Sequence, residues 1–305
     1  MRLNICLGDV LINYLKDSGF CSGVKNAFDT ALKQLPKIEA GEEVYLYGHL
    51  ANNKRVMDDL ISKGFKIAVC PDDITKGSTV VIRSHGVPEF VYTELAKKNA
   101  FIIDCTCTVV KNIHKVVKEK SEAGDFIIII GKKGHPEVEG IYGWCKEGHA
   151  YIVESLGDID TCFKEKKLTV VGQTTCDGSF WESAAAAILQ KYPHAEIHNT
   201  LCSVVSARVK EAAETAKKSD VMVIVGDINS ANSLKLVDAC KNACKDVRFI
   251  SCLEDMAANE DIFIGNKNIS LAGSASTPGE LLEEINAYML FVSFLFKVSQ
   301  EYPLP

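Results

Sequence analysis

Three cysteines occupy equivalent places in a pattern that recurs along the chain. Cys21, Cys107 and Cys202 each follow a short apolar segment and each come directly before an amphipathic stretch with helical spacing. The spacing between them is that of a small domain. If three like modules surround a pseudo-threefold axis, each brings one thiolate to a shared centre. Three thiolates can hold an iron–sulfur cluster and leave one iron open to a substrate.

The repeat continues through further predicted strands after each cysteine. Every copy has a second strand, a short third strand and a fourth strand that ends in a small polar cluster. After Cys107 the predicted apolar helix stripe is Val109, Val110, Ile113, Val116 and Val117. The predicted second strands are 43–48, 126–131 and 221–226, the third are 65–69, 151–153 and 247–250, and the fourth are 80–85, 169–174 and 269–276.

Continuous apolar runs that alternate with helices favour parallel sheets covered on both faces. The predicted fold is therefore α/β, with three modules related by a pseudo-threefold axis. Polar residues lie at or just beyond the carboxyl ends of the strands, which form the ligand-facing rim of such sheets. Turn chemistry explains such residues in one copy, but not their recurrence in the same order. The predicted divisions are 1–105 with Cys21, 106–200 with Cys107, 201–288 with Cys202, and a C-terminal tail, 289–305.

Composition and charge set limits on function. The chain has 305 residues, 47% of them hydrophobic, and a formal net charge of −6, which argues against a general nucleic-acid binder. The start is too short for a signal peptide and is broken by Asp9, so the 12 cysteines are expected to be reduced thiols of a cytoplasmic protein. No apolar run reaches transmembrane length, and no membrane association is expected.

Two other cysteine groupings have alternative interpretations. Cys105 and Cys107 could form a redox pair, but the register of the repeat favours Cys107 because Cys105 still lies on the predicted strand. Cys240, Cys244 and Cys252 could begin a zinc site, although a fourth ligand at ordinary spacing is missing. Most remaining cysteines are expected to be buried, because cysteine behaves as a small hydrophobic residue.

A series of short motifs occurs along the chain. The motifs, in order, are GFCSGV (19–24), SHGV (84–87), DCTC (104–107), GHPEVEG (134–140), QTT (173–175), NTLC (199–202), NSAN (229–232) and AGSAS (272–276). Together they resemble one enzyme family, the 4-hydroxy-3-methylbut-2-enyl diphosphate reductases of the methylerythritol phosphate route to isoprenoids. The resemblance runs from about residue 19 to residue 285, and its most specific part is the hexapeptide that begins at His135.

The resemblance implies a trefoil of the three modules around a central [4Fe–4S] cluster. Cys21, Cys107 and Cys202 would each ligate one iron, and the open iron would take the allylic hydroxyl of the substrate. Glu137, helped by Thr174, would deliver the proton that lets this hydroxyl leave as water. The products would be isopentenyl and dimethylallyl diphosphate. The electrons would come one at a time from a donor such as ferredoxin or flavodoxin.

The resemblance also implies a diphosphate pocket, formed by His85, His135, Ser230, Asn232, Ser276 and, where the family has a histidine, Asn52. Imidazoles, hydroxyls and amides are suitable donors to phosphate. Other interpretations of these residues are local: His85 could cap the helix after Pro88, His135 could be a turn residue, and Glu137 could be a helix-start acid.

Three departures from the family pattern weaken this predicted pocket. Asn52 cannot carry the charge of a histidine, and Val205 and Ala231 each stand where the family has a hydroxyl. Cluster and acid positions are kept while the anion-binding residues change. Two alternatives therefore stand beside the reductase: a related cluster enzyme that reduces or dehydrates a different small substrate, and a non-catalytic cluster protein that carries electrons or senses redox state. A carrier needs no proton donor, so Glu137 and Thr174 count against the latter.

Overall fold

A computed structural model of the chain describes residues 3–7, 10–160, 163, 167–264 and 268–301. Asp9, the charge that breaks the apolar start, lies outside the described residues, as do residues 302–305 of the predicted tail. The chain divides into two compact units. The first holds Met1–Cys21, Ala51–Val56 and Ser203–Pro305, and the second holds Ser22–Leu50 and Met57–Cys202.

Strands and helices alternate along most of the described chain, as the apolar runs predict. The strands are β1 (Leu3–Leu7), β2 (Val10–Tyr14), β3 (Val44–Tyr47), β4 (Lys66–Ala68), β5 (Thr79–Ile82), β6 (Phe101–Asp104), β7 (Phe126–Ile130), β8 (Ala150–Val153), β9 (Leu168–Gly172), β10 (Glu196–Ile197), β11 (Val221–Val225), β12 (Asp246–Ile250) and β13 (Asn268–Gly273). The helices are α1 (Ser22–Leu32), α2 (Leu35–Glu39), α3 (Lys54–Ser62), α4 (Glu89–Lys97), α5 (Thr108–Glu122), α6 (Pro136–Tyr142), α7 (Gly178–Lys191), α8 (Ser203–Ala216), α9 (Ala231–Lys241), α10 (Leu253–Ala257) and α11 (Gly279–Glu301).

The strands form three sheets with the same internal order. In the second unit, β4-β3-β5-β6 and β8-β7-β9-β10 are four-stranded sheets with parallel pairing. In the first unit, β12-β11-β13-β2 repeats that order, and β1 adds antiparallel to β2. In each sheet, the fourth strand of this shared order precedes one of the three cysteines. The predicted fold class, α/β with three parallel-sheet modules, is confirmed.

The N-terminal strand β2 belongs to the sheet of the last module. Its residues lie in the predicted division 1–105, yet β2 pairs with β13. The edge strands β6 and β10 likewise complete the sheets that precede them in the chain. The division of the chain at residues 105, 200 and 288 stays a prediction.

Burial explains why the central strands read as unbroken apolar runs. Every residue of β3, β7, β9 and β11 is buried, because helices cover both faces of a parallel sheet. The helix stripe predicted after Cys107 is confirmed at Val110, Ile113 and Val117, which are buried in α5. It is wrong at Val109, which is 36% exposed because it lies one residue outside the buried face.

Residues 289–301 of the predicted apolar tail form the last part of α11. Met289 and Val292 are buried in the core of the five-stranded sheet, and the ring of Phe296 lies 6.2 Å from that of Phe263. Phe291, Phe294 and Leu295 on the same helix are exposed. Within the described residues, no helix combines the length and the apolar character needed to cross a membrane.

Candidate active site

Each of the three predicted cluster cysteines stands directly before a helix. Cys107 is the N-cap of α5, while Cys21 precedes the first residue of α1 and Cys202 the first residue of α8. The backbone N–H groups at a helix N-terminus and the helix dipole favour negative charge there. All three are free cysteines of intermediate exposure. These positions suit thiolates that hold an anionic group.

Backbone contacts position Cys107 beside the loop that carries His85. The backbone N–H of Cys107 donates to the carbonyl of Ser84 over 2.9 Å. Gly23, two residues after Cys21 in the chain, lies against the thiol, because a Cβ built there would be 3.3 Å from the Cys107 Sγ. A side chain at position 23 would therefore crowd the thiol, and glycine leaves it room.

The other two cysteines are held by neighbouring loops. The backbone N–H of Cys202 donates to the carbonyl of Thr174 over 2.8 Å, which ties the third cysteine to the predicted proton-donor site. The N–H of Cys21 donates to the carbonyl of Ala275 over 3.1 Å. Arg208 on α8 donates to the carbonyls of Gly19 and Phe20, and it thereby orders the turn before Cys21.

Glu137 and Thr174 form a buried pair. The Glu137 side chain is 1% exposed, and its Oε1 accepts the backbone N–H of Thr174 over 2.5 Å. Its Oε2 lies 2.9 Å from the Thr174 Oγ1, which donates to it. If Oε2 is protonated, the same contact can reverse, because a hydroxyl both donates and accepts. Glu137 is therefore more than a solvated helix-start acid.

Local sequence explains how Glu137 comes to face inward. His135 is the N-cap of α6 and Pro136 occupies its first turn, where proline is favoured. The His135 Nδ1 accepts the backbone N–H of Glu137 over 3.2 Å. A neutral His135 ring therefore carries its proton on Nε2, which can donate to a phosphate oxygen. His135 is both a helix cap and a candidate ligand.

His85 follows β5, and its ring lies next to the ring of His135. The two ring centroids are 5.8 Å apart in an edge-to-face arrangement. Burial, followed by the charges of Arg83 and His135, lowers the pKa of His85 to about 3, so the ring is neutral at pH 7. Its Nδ1 is buried without a hydrogen-bond partner. Pro88, not His85, is the N-cap of α4, so the helix-cap interpretation of His85 is wrong.

A second buried histidine, His114, should make folding stability depend on pH. Burial lowers its pKa from 6.5 to about 4, and its ring stacks on Trp144 at 5.3 Å. Because the folded-state pKa lies below the unfolded value, the unfolded chain gains the proton first as the pH falls. This contribution is complete above about pH 6.5 and is lost toward pH 4.

Thermal or urea unfolding between pH 7 and pH 5 tests this prediction. We expect the wild type to lose about 2 kcal/mol more unfolding free energy over that range than His114→Gln, which cannot titrate there. His194→Gln, which removes an exposed histidine, should behave like the wild type. Equal pH dependence in the wild type and His114→Gln would contradict the assignment.

In the first unit, hydroxyl groups gather at the carboxyl ends of β11 and β13. Ser230 and Ser276 are 1% and 4% exposed, and the Ser276 hydroxyl donates to the Ser230 Oγ over 2.9 Å. Ser230 also caps α9. Ser274 and Thr277 extend this cluster, and Thr277 donates to the carbonyl of Val225. The structure thus brings two predicted phosphate ligands together.

The remaining predicted pocket residues of this unit lie on adjoining loops. Asn232, in the first turn of α9, has a buried Oδ1 without a hydrogen-bond partner. Asn52 is partly buried, and Asn53 after it accepts the N–H of Val56. Asp227 accepts the N–H groups of Lys54 and Asn229, and so links the loop of Asn52 to the loop of Ser230.

Two of the departures from the family pattern occupy different environments. Val205 is partly buried on α8, and Ala231 is exposed at the start of α9. Sequence reasoning assigned no role to Arg83, Ser274 or Thr277. The sequence feature that could have drawn attention to Arg83 is its position, directly after an apolar strand and two residues before His85.

The three free cysteines that each stand directly before a helix are thiol donors of the kind that an iron–sulfur cluster needs. Among the described residues, no three His, Cys, Asp or Glu side chains lie close enough together to hold a single metal ion. The zinc interpretation of Cys240, Cys244 and Cys252 therefore has no support; Cys240 and Cys244 are buried, and the Cys244 thiol contacts three backbone carbonyls. Cys105 is also buried, which raises its pKa and keeps it protonated.

Known proteins resemble the chain over most of its length. Residues 12–290 match the family described as LytB protein. A protein of Alkaliphilus oremlandii named 4-hydroxy-3-methylbut-2-enyl diphosphate reductase is 36% identical over 88% of this chain and 95% of its own length. A protein of Clostridioides difficile with the same name is 34% identical over 91% of this chain and 98% of its own length.

Solved structures agree with the sequence comparisons. The E-1-hydroxy-2-methyl-but-2-enyl-4-diphosphate reductase of Plasmodium falciparum superposes with a TM-score of 0.82 at 26% identity, over 91% of this chain and 87% of that one. A structure described as (E)-4-hydroxy-3-methyl-but-2-enyl diphosphate reductase, the terminal enzyme of the non-mevalonate pathway, superposes with a TM-score of 0.73 at 30% identity, over 92% of this chain and 99% of that one.

Fold and site together define the class: an α/β oxidoreductase of three parallel-sheet modules. The chain belongs to the LytB family, whose enzymes are iron–sulfur proteins. The resemblance inferred from the motifs is thereby confirmed.

Proposed function

We propose that the chain is a 4-hydroxy-3-methylbut-2-enyl diphosphate reductase. The reaction adds two electrons and two protons to the substrate, breaks the allylic carbon–oxygen bond, and releases water with isopentenyl or dimethylallyl diphosphate. The observation that carries this proposal is the buried Glu137–Thr174 pair joined through the Thr174 carbonyl to the N–H of Cys202. It unites a proton donor with a candidate cluster ligand in a chain whose relatives share this one enzyme name.

Cys21, Cys107 and Cys202 are the residues that would hold a [4Fe–4S] cluster. When bound, such a cluster supplies electrons one at a time and a Lewis-acidic iron that no protein thiolate occupies. The helix N-termini behind the three cysteines would stabilise its negative charge. The electrons would come from a one-electron carrier such as ferredoxin or flavodoxin.

Glu137 holds the proton that the departing hydroxyl needs. Burial keeps bulk water from the carboxyl, and the Thr174 hydroxyl, 2.9 Å from Oε2, can pass a proton onward while it receives one from Glu137. The backbone N–H of Thr174 fixes the other oxygen, Oε1. Glu137 is therefore held in one orientation whether or not it carries the proton.

Several hydrogen-bond donors are our candidates for binding the diphosphate. The His135 Nε2–H, set by the Nδ1 contact to Glu137, is one such donor, and the paired hydroxyls of Ser230 and Ser276 are others. The Asn232 amide and Asn52 would complete the set. Buried donors lose little freedom on binding, so their hydrogen bonds to phosphate are effective.

Anaerobic turnover tests the function directly. Cluster-loaded protein is mixed with 4-hydroxy-3-methylbut-2-enyl diphosphate and a strong one-electron donor, and the five-carbon products are quantified. We expect stoichiometric consumption of two electrons per product. A fully loaded sample that reduces none of this substrate would refute the proposal and favour a changed substrate, to which Asn52, Val205 and Ala231 would then point.

A further inference from the structure

Arg83 carries a partly buried guanidinium group. It follows β5, and its guanidinium lies over Gly48, where a Cβ would be 2.0 Å from Nη1. Only a glycine leaves this space, and its φ of +71° also favours glycine. Within the described part of the chain, no carboxylate pairs with Arg83, and its Nε is buried without a hydrogen-bond partner.

A bound anion would compensate the partial burial of this charge. Burial lowers the pKa of Arg83 without discharging it at physiological pH. The neighbouring Tyr47 cannot serve as the anion, because burial raises its pKa to about 12. The residues that the structure describes therefore leave Arg83 without a negatively charged partner.

Arg83 lies two residues before His85 in the segment that follows β5. The ring of His135 lies 5.8 Å from the ring of His85, and all three residues belong to the second unit. Burial, followed by the charge of Arg83, lowers the pKa of His85 to about 3, so this ring is neutral while Arg83 keeps its positive charge.

We propose that Arg83 binds the diphosphate group of the substrate together with His85 and His135. Guanidinium matches phosphate geometry with two parallel N–H donors. Arg83 is then a specificity-determining residue for the diphosphate anion. This inference rests on the proposed function only for the identity of the organic part of the ligand.

The test compares Arg83→Gln and Arg83→Lys with the wild type in cluster-loaded protein. Turnover gives KM and kcat, and calorimetry gives the affinity for inorganic pyrophosphate as the probe. We expect Arg83→Gln to weaken pyrophosphate binding and raise KM by about 10- to 100-fold, with kcat little changed, because a charged hydrogen bond is lost in ground and transition state alike. Arg83→Lys should give a smaller rise in the same direction.

Lys97→Gln is the matched control, since it removes an exposed positive charge that is paired with Glu94 in the same module. It should leave pyrophosphate affinity unchanged. Circular dichroism checks folding, and if Arg83→Gln does not fold, Arg83→Lys decides the question. Wild-type affinity in the folded variant would overturn the proposal.

The two proposals fail separately. A wild type that binds pyrophosphate through Arg83 but does not reduce the hydroxymethylbutenyl substrate would refute the proposed function and support the anion site. If the wild type reduces the hydroxymethylbutenyl substrate, and Arg83→Gln has an unchanged KM and pyrophosphate affinity, the proposed function is supported and the anion site is refuted.

Discussion

Replacing Glu137 with glutamine is expected to lower kcat by about 10²- to 10⁴-fold while the iron content of the protein is unchanged. Glutamine keeps the size of the side chain and an oxygen that accepts the Thr174 N–H, but it has no carboxyl proton to give. Because the side chain is 1% exposed, water has little access to replace that proton. Anaerobic turnover, measured beside the visible absorption of the cluster, checks both parts.

Glu139→Gln is the matched control for this experiment. Glu139 lies on the same helix, is exposed, and accepts the N–H of Gly134 over 3.1 Å, which an amide oxygen can also do. Its replacement should leave turnover near the wild-type rate. A Glu137→Gln protein that reduces substrate at the normal rate would mean that the proton comes from elsewhere.

Replacing Cys107 with alanine is expected to remove the cluster and all reductase activity. The change deletes a thiolate at the N-terminus of α5, and a cluster held by three thiolates has no spare protein ligand. The iron-to-protein ratio after anaerobic reconstitution, together with the visible absorption, measures the loss. The apoprotein should remain folded, because Cys107 is only partly buried and contributes little to the core.

Cys105→Ala separates this role from a general effect of losing a thiol. Cys105 lies two residues earlier, is 3% exposed, and has a pKa raised by burial, so it is a protonated core side chain. Its replacement should retain the cluster and lower stability by about 1 kcal/mol. The opposite result, a cluster lost from Cys105→Ala and kept by Cys107→Ala, would show that the register of the repeat was misassigned.

Each comparison uses two residues of the same type that lie two positions apart in the chain. The two members of each pair differ in burial and in their expected role. Glu137 faces inward because His135 and Pro136 begin α6 there, whereas Glu139, on the exposed side of the same helix, meets solvent. Cys105 directly follows β6 and is buried, whereas Cys107 is the N-cap of α5. In each pair a short sequence motif is sufficient to assign the side that each residue occupies.

Other parts of the site needed contacts that no local motif encodes. The Thr174 hydroxyl bonds to a carboxyl 37 residues away, and the hydroxyls of Ser230 and Ser276 meet across 46 residues. Arg83 drew no attention in the sequence because its importance depends on what is absent around it. The structure shows its guanidinium packed over Gly48, with a buried Nε that has no hydrogen-bond partner.

The sequence by itself determined the strands, the helices and the placement of each cysteine before a helix, since apolar runs and helical periodicity are local properties of the chain. It also carried the motifs by which the family was inferred. Only the tertiary structure decided that β2 completes the last sheet, that Val109 of the predicted stripe faces outward, and that no described carboxylate pairs with Arg83. Strand pairing, side-chain burial and ion pairing depend on contacts between residues that are distant in the chain. Local sequence preferences do not specify these contacts, so tertiary packing decides them.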